Sequence, residues 1–424
     1  ATDFVRGCYY ESWAVYRPAP YTLSSANIPV NLCTHIFYAF AAINATNFGA
    51  QSFDSFADID KGGFAGLNQL KQSQPGLKTI LSIGGATLSW AFTPLIASDT
   101  AVSNFVQTAW TMAEENGFDG IDIDWEYPNS AQAEDFVNFI QKLKAASNGK
   151  LVTLAVPAGS SWTAGYDAAA LAKSADFFNV MTYDFYGGWS TSIGNQASFP
   201  ETVQAMEMWQ KMGVPAEKLL LGIPVYGRGW LVSSESQCRQ GGSFISVAPA
   251  QSVTQTQGYA AYFELDKLPG NVIQAEEGPY KVATLSGGQQ GCYGFDDAES
   301  VAKKMEVVRS SGYGGAFTWT LDFDDIAAYY PLHQVIKDSL AGDNDSPAVK
   351  PTTTTSRPVK STTSAGGKTT RGGSNNQCNG GAMRRNVKDA KKYDECIGGA
   401  WVTRSCPPGT TYDEASGTFV RLNN

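Results

Sequence analysis

The sequence contains little histidine, no long apolar run and no excess of basic charge. Only 2 histidines, His35 and His333, occur among its 424 residues. Too few histidines are therefore present for a histidine-based metal centre, and few for a Ser-His-Asp triad. We expect no metal and no cofactor. No apolar run approaches the ~20 residues of a membrane span, so no membrane partner is expected. Carboxylates and tyrosines remain as the side chains available for catalysis.

Basic residues are outnumbered, with 31 Lys and Arg against 40 Asp and Glu, for a net charge of -9. From Asp343 onward, however, 12 basic residues face 7 acidic ones, so the first 342 residues carry a net charge of about -14. An acidic body repels phosphate backbones, which excludes nucleic acid as a partner. A neutral polymer, or a weakly basic one, is compatible with this charge.

Seven cysteines, a Thr-rich stretch and glycosylation acceptor triplets beginning at Asn44 and Asn344 are typical of secreted proteins. No signal peptide is visible ahead of Ala1. We predict a secreted, extracellular protein whose signal peptide has been removed; a chain that never had one is the alternative.

Residues 118–128 form the most unusual stretch of the sequence. Their alternation predicts a strand with one apolar and one acidic face. The apolar face comprises Ile121, Ile123 and Trp125, and the acidic face comprises Asp122, Asp124 and Glu126. A row of carboxylates resists burial, but it suits a site in which one acid keeps its proton while its neighbours are ionised or share protons. A solvated edge strand is the alternative, and the apolar opposite face argues against it.

The regular alternation of strands and helices predicts the fold. Apolar, β-branched runs predict eight strands at residues 5–10, 35–41, 79–83, 120–124, 152–156, 177–182, 219–225 and 315–320. Helical patterns lie between them at residues 100–116, 131–147, 201–212 and 299–311. Eight such repeats predict an α/β protein, a closed (β/α)8 TIM barrel with its active site at the carboxyl ends of the strands. Glu126 then lies at the carboxyl end of the fourth strand.

The acidic strand also carries a family resemblance. Asp119, Asp122, Asp124 and Glu126 follow the spacing Asp-x-x-Asp-x-Asp-x-Glu, which resembles the signature of glycoside hydrolase family 18, the chitinases and their relatives. Six further stretches resemble motifs of that family in the same order: Gly7-Cys8-Tyr9-Tyr10 with Trp13, Tyr38-Ala39-Phe40, Ser82-Ile83-Gly84-Gly85, Met181-Thr182-Tyr183-Asp184, Tyr226-Gly227-Arg228 and Gly315-Ala316-Phe317-Thr318-Trp319. The resemblance spans nearly all of residues 1–340. It is greatest to animal-type chitinases such as chitotriosidase and acidic mammalian chitinase.

The resemblance implies a retaining, substrate-assisted hydrolysis of the β-1,4 bonds between N-acetylglucosamine units of chitin. Glu126 resembles the general acid, which later acts as a base on water. The substrate's own N-acetyl oxygen is the nucleophile, and Tyr183 holds that oxygen. Asp124 resembles the residue that binds the acetamide N–H, and Asp122 backs Asp124, with which it is expected to share a proton.

The resemblance also implies a set of substrate-binding residues, for which core packing is the alternative to sugar contact. They are Tyr9, Trp13, Phe40, Gly85, Tyr127, Met181, Asp184, Trp189, Tyr226, Arg228 and Trp319. Trp319 is expected to form the floor under the attacked sugar, and Trp189 a platform for the leaving-group sugars. Asp119 precedes the strand and is predicted to be structural.

One position departs from the family pattern. Many relatives have a substrate-stacking tryptophan after Ser82-Ile83-Gly84-Gly85, where this chain has Ala86. Trp90 lies four residues further along and could replace it. Without such a replacement, we expect weaker oligosaccharide binding.

Cysteine positions suggest two disulfides in the first 342 residues. Cys8 and Cys33 lie near the starts of adjacent strands, and family members commonly have a bridge here, which contributes on the order of 3 kcal/mol. The interval after the seventh strand is too long for one helix, so a small α+β insertion is predicted between strand 7 and its helix, at about residues 230–290. Cys238 and Cys292 could form a disulfide in it; two buried free thiols are the alternative.

The composition changes near residue 342 and predicts two further segments. Residues 343–377 are rich in Thr, Ser, Pro and Gly and are expected to be a disordered linker. Residues 378–424 resemble part of a peritrophin-type chitin-binding module, with three cysteines in place of six. Cys378 and Cys396 can form a disulfide, and Cys406 then has no cysteine partner within this segment. Folding of this segment and its binding to chitin are hypotheses.

The sequence therefore predicts a monomeric secreted chitinase whose partners are chitin and chitooligosaccharides. A chitinase-like lectin that binds these sugars without cutting them is the first alternative. An endo-β-N-acetylglucosaminidase acting on N-glycans is the second. The polymer that releases sugar distinguishes the three.

Overall fold

The structure is a computed structural model that describes residues 4–341 and, further along the chain, the backbone of five strands. Those strands are Met383–Arg385, Lys392–Ile397, Ala400–Ser405, Thr410–Asp413 and Thr418–Arg421. The chain divides into two compact units near residue 350.

The first unit is built around a closed barrel of eight parallel strands. They are β1 (Val5–Glu11), β2 (His35–Ile43), β3 (Lys78–Gly84), β4 (Gly120–Asp124), β5 (Leu151–Pro157), β6 (Phe177–Met181), β7 (Leu219–Pro224) and β8 (Gly315–Trp319). Each strand pairs with its neighbour in sequence, and β8 pairs with β1 to close the ring. The predicted TIM barrel is confirmed, and all eight strands lie within two residues of their predicted bounds.

Helices surround the barrel. Within residues 4–341 the α-helices are Gly63–Gln69, Phe92–Ile96, Asp99–Glu115, Ala133–Ala145, Ala168–Leu171, Phe199–Lys211, Tyr262–Lys267, Ala298–Ser310 and Pro331–Leu340. The four predicted helices are among them, each within two residues of its expected ends. The connection from β1 to β2 contains Pro18 and Pro20, which lack the backbone N–H that a helix needs, and it forms two short 3-10 turns instead.

The apolar face of β4 packs outward against these helices. Ile121 and Ile123 are buried, and the Trp125 ring lies 5.4 Å from the rings of both Phe92 and Phe136. Because successive strand residues face opposite sides, burying this face toward the helices turns the acidic face into the barrel.

A small lobe interrupts the barrel between β7 and the helix Ala298–Ser310. It consists of the strands Tyr226–Val232, Ser246–Val247, Tyr259–Ala261, Gly270–Ile273, Tyr280–Thr284 and Gln290–Gly294 with the helix Tyr262–Lys267. The strands form one antiparallel sheet. The lobe starts at Tyr226, earlier than residue 230, because its first strand follows β7 almost directly.

Both predicted disulfides of the barrel unit are present. Cys8 and Cys33 join β1 to the start of β2, and Cys238 and Cys292 join two parts of the lobe. The alternative of two free thiols in the lobe is therefore wrong. Cys238 and Cys292 belong to a buried cluster with Trp230 and Tyr280, so the bond lies inside the lobe's core.

The described strands of the second unit form two small antiparallel sheets. Lys392–Ile397 pairs with Met383–Arg385 on one side and with Ala400–Ser405 on the other, and the two remaining strands pair with each other. The predicted linker at 343–377, Asn344, Cys378 and Cys406 lie outside the described residues, as does the side chain of Cys396. The predicted Cys378–Cys396 disulfide therefore stays a prediction. No helix among the described residues is long and apolar enough to cross a membrane.

Candidate active site

The first carboxylate of the acidic row, Asp122, lies inside the barrel and is 0% exposed. Three hydroxyls from neighbouring strands donate hydrogen bonds to it: Tyr9 at 2.8 Å, Ser82 at 2.7 Å and Thr153 at 2.6 Å. Burial raises the pKa of Asp122 and these hydrogen bonds partly offset that rise. These hydroxyls donate to both oxygens of Asp122 and hold it in place. The proton that Asp122 is expected to share with Asp124 stays a prediction.

Tyr9 was predicted to contact substrate, and the structure corrects that prediction. The residue is 1% exposed, and its ring stacks on Phe37 with centroids 4.5 Å apart. Its hydroxyl donates to Asp122 and accepts a hydrogen bond from Asn179 at 2.9 Å. Tyr9 therefore supports Asp122 from within the barrel, because every part of it is used in packing or hydrogen bonding.

Gly85 also has a supporting position and does not line the cleft. Its backbone lies in the left-handed region, at φ 85°, and its N–H donates to the carbonyl of Asp124 at 2.8 Å. A Cβ atom at Gly85 would lie 2.6 Å from the Phe40 ring. Only glycine fits this close approach without displacing Phe40, so Gly85 positions its two neighbours.

Asp124 is buried at the edge of the cleft with an unsatisfied oxygen. It is 3% exposed, and its Oδ1 has no hydrogen-bond partner among the described residues. Burial, then the charges of Glu126 and Asp122, raise the pKa of Asp124 well above its usual range. A buried polar atom without a partner is costly and is uncommon in folded proteins. The arrangement therefore favours a ligand group that bonds to Asp124.

Glu126 ends the acidic row and has the pKa of a proton donor at neutral pH. Its backbone N–H donates to Ser89 Oγ at 2.8 Å, which fixes the turn after β4. Burial, followed by the charge of Asp184, raises the pKa of Glu126 to about 7. Burial is the larger cause, and the second is the charge of Asp184, which follows β6. A carboxyl with this pKa can donate a proton near neutral pH.

Asp184 follows β6 and is fixed by the lobe. It accepts hydrogen bonds from Arg228 Nε at 2.9 Å and Nη2 at 2.7 Å, and from the Tyr226 hydroxyl at 2.8 Å. Its own backbone N–H donates to Gln196 Oε1 at 3.0 Å. The guanidinium of Arg228 also lies 5.0 Å from the Trp189 ring. This bidentate ion pair therefore holds a fixed negative charge beside Glu126.

A cleft of about 530 Å³ opens at the carboxyl ends of the strands. The predicted residues that line it are Trp13, Phe40, Asp124, Glu126, Tyr127, Met181, Tyr183, Asp184, Trp189, Tyr226, Arg228 and Trp319. The structure thus brings together residues from β2, β4, β6 and β8, from the connections that follow β1, β4 and β6, and from the lobe. Asp122, Tyr9 and Gly85 lie behind this surface.

The floor of the cleft is aromatic. The Trp319 ring stacks on Phe40 at 5.7 Å, and the Trp13 ring lies 6.2 Å from Phe40. Tyr183 lies next to them, with its ring 6.2 Å from Phe317. Burial raises the pKa of Tyr183 well above its usual value, so its hydroxyl keeps a proton to donate. The cleft therefore offers apolar ring faces together with hydrogen-bond donors and acceptors, as sugars require.

Several lining residues were not predicted. Ala86 and Thr87 lie on the cleft, whereas Trp90 is 60% exposed and outside its lining, so Trp90 does not replace the absent tryptophan. Trp162 and Tyr259 also line it. Trp162 follows β5, and its place at the carboxyl end of a barrel strand was a usable signal. Tyr259 lies in the lobe, where the sequence alone did not indicate which aromatic residues face the cleft.

Asp119 lies at the opposite end of β4 from Glu126. Its Oδ2 accepts the backbone N–H of Thr79 at 2.8 Å and pairs with Lys71 Nζ at 2.6 Å. These contacts connect β3 to the start of β4, which supports a structural role. Within the described residues, no group of three or more His, Cys, Asp or Glu side chains is arranged to hold a metal ion.

Residues 5–324, which include all of this cleft, match the glycosyl hydrolases family 18. The chain belongs to this family. It is 36% identical over 378 residues to a probable endochitinase of Caenorhabditis elegans. The aligned region covers 80% of this chain and 61% of that relative. The chain thus spans about three fifths of the length of that relative.

Two solved structures that resemble this chain carry different descriptions. The immunomodulatory active chitinase of Trichuris suis is 32% identical, with a TM-score of 0.74 over 80% of this chain and 100% of that one. Human YKL-39, a pseudo-chitinase with retained chitooligosaccharide binding properties, is 29% identical, with a TM-score of 0.70 over 80% of this chain and 99% of that one. The fold is therefore similar to that of a protein described as a chitinase and to that of one described as a pseudo-chitinase.

Removing the Asp184 charge should shift the pH dependence of activity. The negative charge of Asp184 raises the pKa of Glu126, so Asp184→Asn lowers that pKa toward the ordinary range of ~4.3. Glu126 then loses its proton at lower pH, and the alkaline limb of the kcat/KM profile moves acidward. Asp119→Asn is a matched control. The Asp119 side chain is 27% exposed and paired with Lys71, and the Asp184 side chain is 37% exposed and paired with Arg228. An unchanged alkaline limb in Asp184→Asn would contradict this electrostatic coupling.

Proposed function

We propose that the protein is a secreted chitinase that hydrolyses the β-1,4 bonds between N-acetylglucosamine units of chitin, retaining the anomeric configuration. The observation that carries this proposal is Glu126, an acid whose pKa of about 7 lets it donate a proton within an aromatic cleft. The partnerless oxygen of Asp124 in the same cleft adds support, because an acetamide N–H satisfies it. Family relatives with the name endochitinase or chitinase agree with this assignment.

The first step breaks the glycosidic bond. Glu126 donates its proton to the glycosidic oxygen while the acetamide carbonyl oxygen of the attacked sugar bonds to C1. The C1–oxygen bond to the leaving sugar breaks, and a cyclic oxazolinium forms. Asp124 accepts a hydrogen bond from the acetamide N–H and stabilises the positive charge, and the Tyr183 hydroxyl donates to the acetamide oxygen. Fixing the acetamide in this way gives it the advantage of an intramolecular nucleophile.

The second step restores the enzyme. Glu126, now ionised, removes a proton from water, whose oxygen attacks C1 on the face that the leaving sugar vacated. The bond between C1 and the acetamide oxygen breaks, and the N-acetyl group is regenerated. Two inversions at C1 give net retention. One carboxyl serves as acid and then as base, so a single group with a pKa near neutrality is sufficient.

Digestion of chitohexaose by the wild-type protein tests this proposal. Products are separated by chromatography at short times, before mutarotation, and cellohexaose is the control substrate. We expect β-anomers from chitohexaose and no products from cellohexaose, because cellohexaose lacks the N-acetyl nucleophile. Release of α-anomers, or efficient cleavage of cellohexaose, would contradict the substrate-assisted mechanism.

A chitooligosaccharide-binding lectin is the second candidate, and the likeness to YKL-39 favours it. Retention of Glu126, Asp124 and Tyr183 in the cleft argues for the enzyme instead. Binding of chitohexaose without product release would identify a lectin. Release of sugar from N-glycans but not from chitin would identify an endo-β-N-acetylglucosaminidase.

Secretion and the roles of the remaining segments form part of the same proposal. Two disulfides within the barrel unit support an oxidising, extracellular location. We further propose that the protein acts as a monomer and that the segment from residue 378 onward assists binding to chitin. Its paired strands are compatible with a small folded module.

Restoring a tryptophan at position 86 should strengthen oligosaccharide binding. Ala86 lines the cleft and is exposed, so Ala86→Trp places a ring where a sugar can stack. One such contact contributes about 1 kcal/mol, which corresponds to roughly fivefold tighter binding. Calorimetric titration of chitohexaose into Glu126→Gln with and without Ala86→Trp measures the effect without turnover. Equal affinities would show that position 86 does not contact the sugar.

A further inference from the structure

Three buried charged side chains connect the end of β1 to the turn that follows β8. Arg17 pairs with the carboxylates of Glu11 and Asp322, and the side chains of Arg17, Glu11 and Asp322 are 8%, 4% and 0% exposed. Arg17 Nη1 also donates to the Asp322 carbonyl at 3.0 Å, and the backbone N–H of Glu11 donates to Asp322 Oδ1 at 3.0 Å. We refer to these three residues as the ionic cluster.

The ionic cluster closes the turn that carries Trp13. Glu11 ends β1, the 3-10 turn Ser12–Tyr16 follows, and Arg17 comes directly after that turn. The backbone N–H of Arg17 also donates to the carbonyl of Ala14 at 3.4 Å. The ion pair between Glu11 and Arg17 therefore joins the two ends of the segment that contains Trp13.

The same cluster fixes the segment after Trp319. Asp322 lies in the 3-10 turn Leu321–Phe323, which follows Trp319 at the end of β8. Its carboxylate and its backbone carbonyl both accept hydrogen bonds from Arg17. Trp13 and Trp319, two aromatic residues of the cleft floor, are thus carried by segments that meet at Arg17.

Trp13 depends on this support because packing surrounds its ring only in part. It lines the cleft and also a second cavity of about 530 Å³, which Glu11 and Arg17 line as well. Its ring is partly buried and packs at the margin of the core cluster that contains Phe40. A ring between two open spaces is not fixed by close packing on every side, so its position depends on the backbone that carries it.

Stability is a poor reason for burying the ionic cluster. Taking three charges out of water costs free energy, and well-packed apolar residues in their place are often as stable. Burial and the charge of Asp322 raise the pKa of Glu11 well above its usual range, and the Arg17 charge opposes this rise only in part. What the cluster provides is direction, since a planar guanidinium contacts both carboxylates in a single geometry.

We propose that Arg17 is a positioning residue for substrate binding, which acts through the ionic cluster to hold Trp13 at the cleft. The inference rests on the proposed function and deepens it, because Trp13 is one of the residues expected to contact the sugar chain. Arg17 is absent from the described residues that line the cleft, so its effect on the substrate passes through Trp13.

A double-mutant cycle with chitohexaose tests this role. We expect Arg17→Met to raise KM about fivefold, the value of one lost stacking contact, and to leave kcat nearly unchanged, because Trp13 does not contact the reacting atoms. Trp13→Ala should have the same effect. In the Trp13→Ala background Arg17→Met should raise KM no further, since two residues that act as one unit are not additive. Additive losses would overturn the assignment.

Arg17→Lys separates positioning from folding. Lysine keeps the positive charge that the two buried carboxylates require, but its single ammonium lacks the planar fork that contacts both. We expect a rise in KM smaller than that of Arg17→Met, with little change in melting temperature. An Arg17→Lys variant with the KM of the wild type would contradict the positioning role.

Lys304→Met is the matched control for losing a buried ion pair. The Lys304 side chain pairs with Asp296 at 2.6 Å, both side chains are 1% exposed, and both lie outside the cleft. We expect Lys304→Met to lower the melting temperature and to leave KM unchanged. An equal rise in KM would show that the loss of any buried ion pair reproduces the effect of Arg17→Met.

The outcome also distinguishes this inference from the proposed function. A wild-type protein that binds chitohexaose without hydrolysing it refutes the chitinase proposal, and calorimetric titration of the same variants then tests Arg17 through the dissociation constant. A wild-type protein that neither binds nor hydrolyses chitohexaose refutes both. Hydrolysis by the wild type together with an unaffected Arg17→Met variant refutes the positioning role alone.

Discussion

Glu126→Gln is expected to lower kcat for chitohexaose by about 10³-fold or more, with substrate binding nearly unchanged. General acid catalysis contributes typically 10²–10⁴-fold, and here the same group acts again as the base in the second step. Glutamine keeps the size and hydrogen-bonding capacity of the side chain, but it has no proton to transfer at neutral pH. The burial that raises the pKa of Glu126 to about 7 makes it the proton donor of the cleft.

Two measurements distinguish a loss of catalysis from a loss of substrate binding or folding. Calorimetric titration with chitohexaose should give dissociation constants within about threefold for wild type and Glu126→Gln, because the sugar contacts remain. Thermal unfolding should show no loss of stability, since the substitution removes a carboxyl that burial disfavours in its charged form. A variant that keeps more than a tenth of wild-type activity would show that another residue protonates the leaving oxygen.

Asp124→Asn is expected to lower kcat by about 10²–10³-fold, the range measured when a preorganised group loses contact with developing charge. Asp124 is buried on the cleft, and its Oδ1 has no partner among the described residues. The proposed contact with the acetamide N–H becomes stronger as positive charge develops on the oxazolinium. Asparagine retains a hydrogen-bond acceptor but no negative charge, so kcat should fall much more than KM rises.

Asp58→Asn is the control for removing a buried carboxylate. Asp58 is 1% exposed, accepts a hydrogen bond from the Tyr38 hydroxyl at 2.7 Å, and lies outside the cleft. We expect it to lower the melting temperature and leave kcat unchanged. Similar kcat values for Asp124→Asn and wild type, both measured on chitohexaose, would exclude Asp124 from charge stabilisation.

Most of the fold could be predicted because the relevant signals are local. The strands of a (β/α)8 barrel are buried on both sides, so each appears in the sequence as a short apolar run between helical patterns. The acidic row of β4 was visible for the same reason, since side-chain alternation depends only on the strand itself. The bounds of the lobe were less clear, because its first strand, Tyr226–Val232, follows β7 without an intervening turn signal.

Contacts between distant parts of the chain could not be predicted in the same way. Tyr9 and Trp13 are both aromatic residues of the same stretch, yet one is buried against Asp122 and the other lines the cleft. Tyr9 lies within β1, whereas Trp13 lies in the 3-10 turn that follows it, and contacts with distant strands decide what each side chain meets. Trp90 and Trp162 likewise follow the ends of β3 and β5, but only the loop after β5 turns its tryptophan to the cleft.

The sequence by itself determined the barrel and the position of Glu126 at the end of β4. Both follow from side-chain periodicity and from motifs within short stretches of chain. The structure decided the Cys238–Cys292 disulfide, because the sequence left two free thiols as the alternative. Only the tertiary structure decided what surrounds the acid. Burial in the closed barrel, and the charge of Asp184 fixed by Arg228 from the lobe, raise the pKa of Glu126. Desolvation and charge interactions act through space, so they depend on distances that the sequence does not contain.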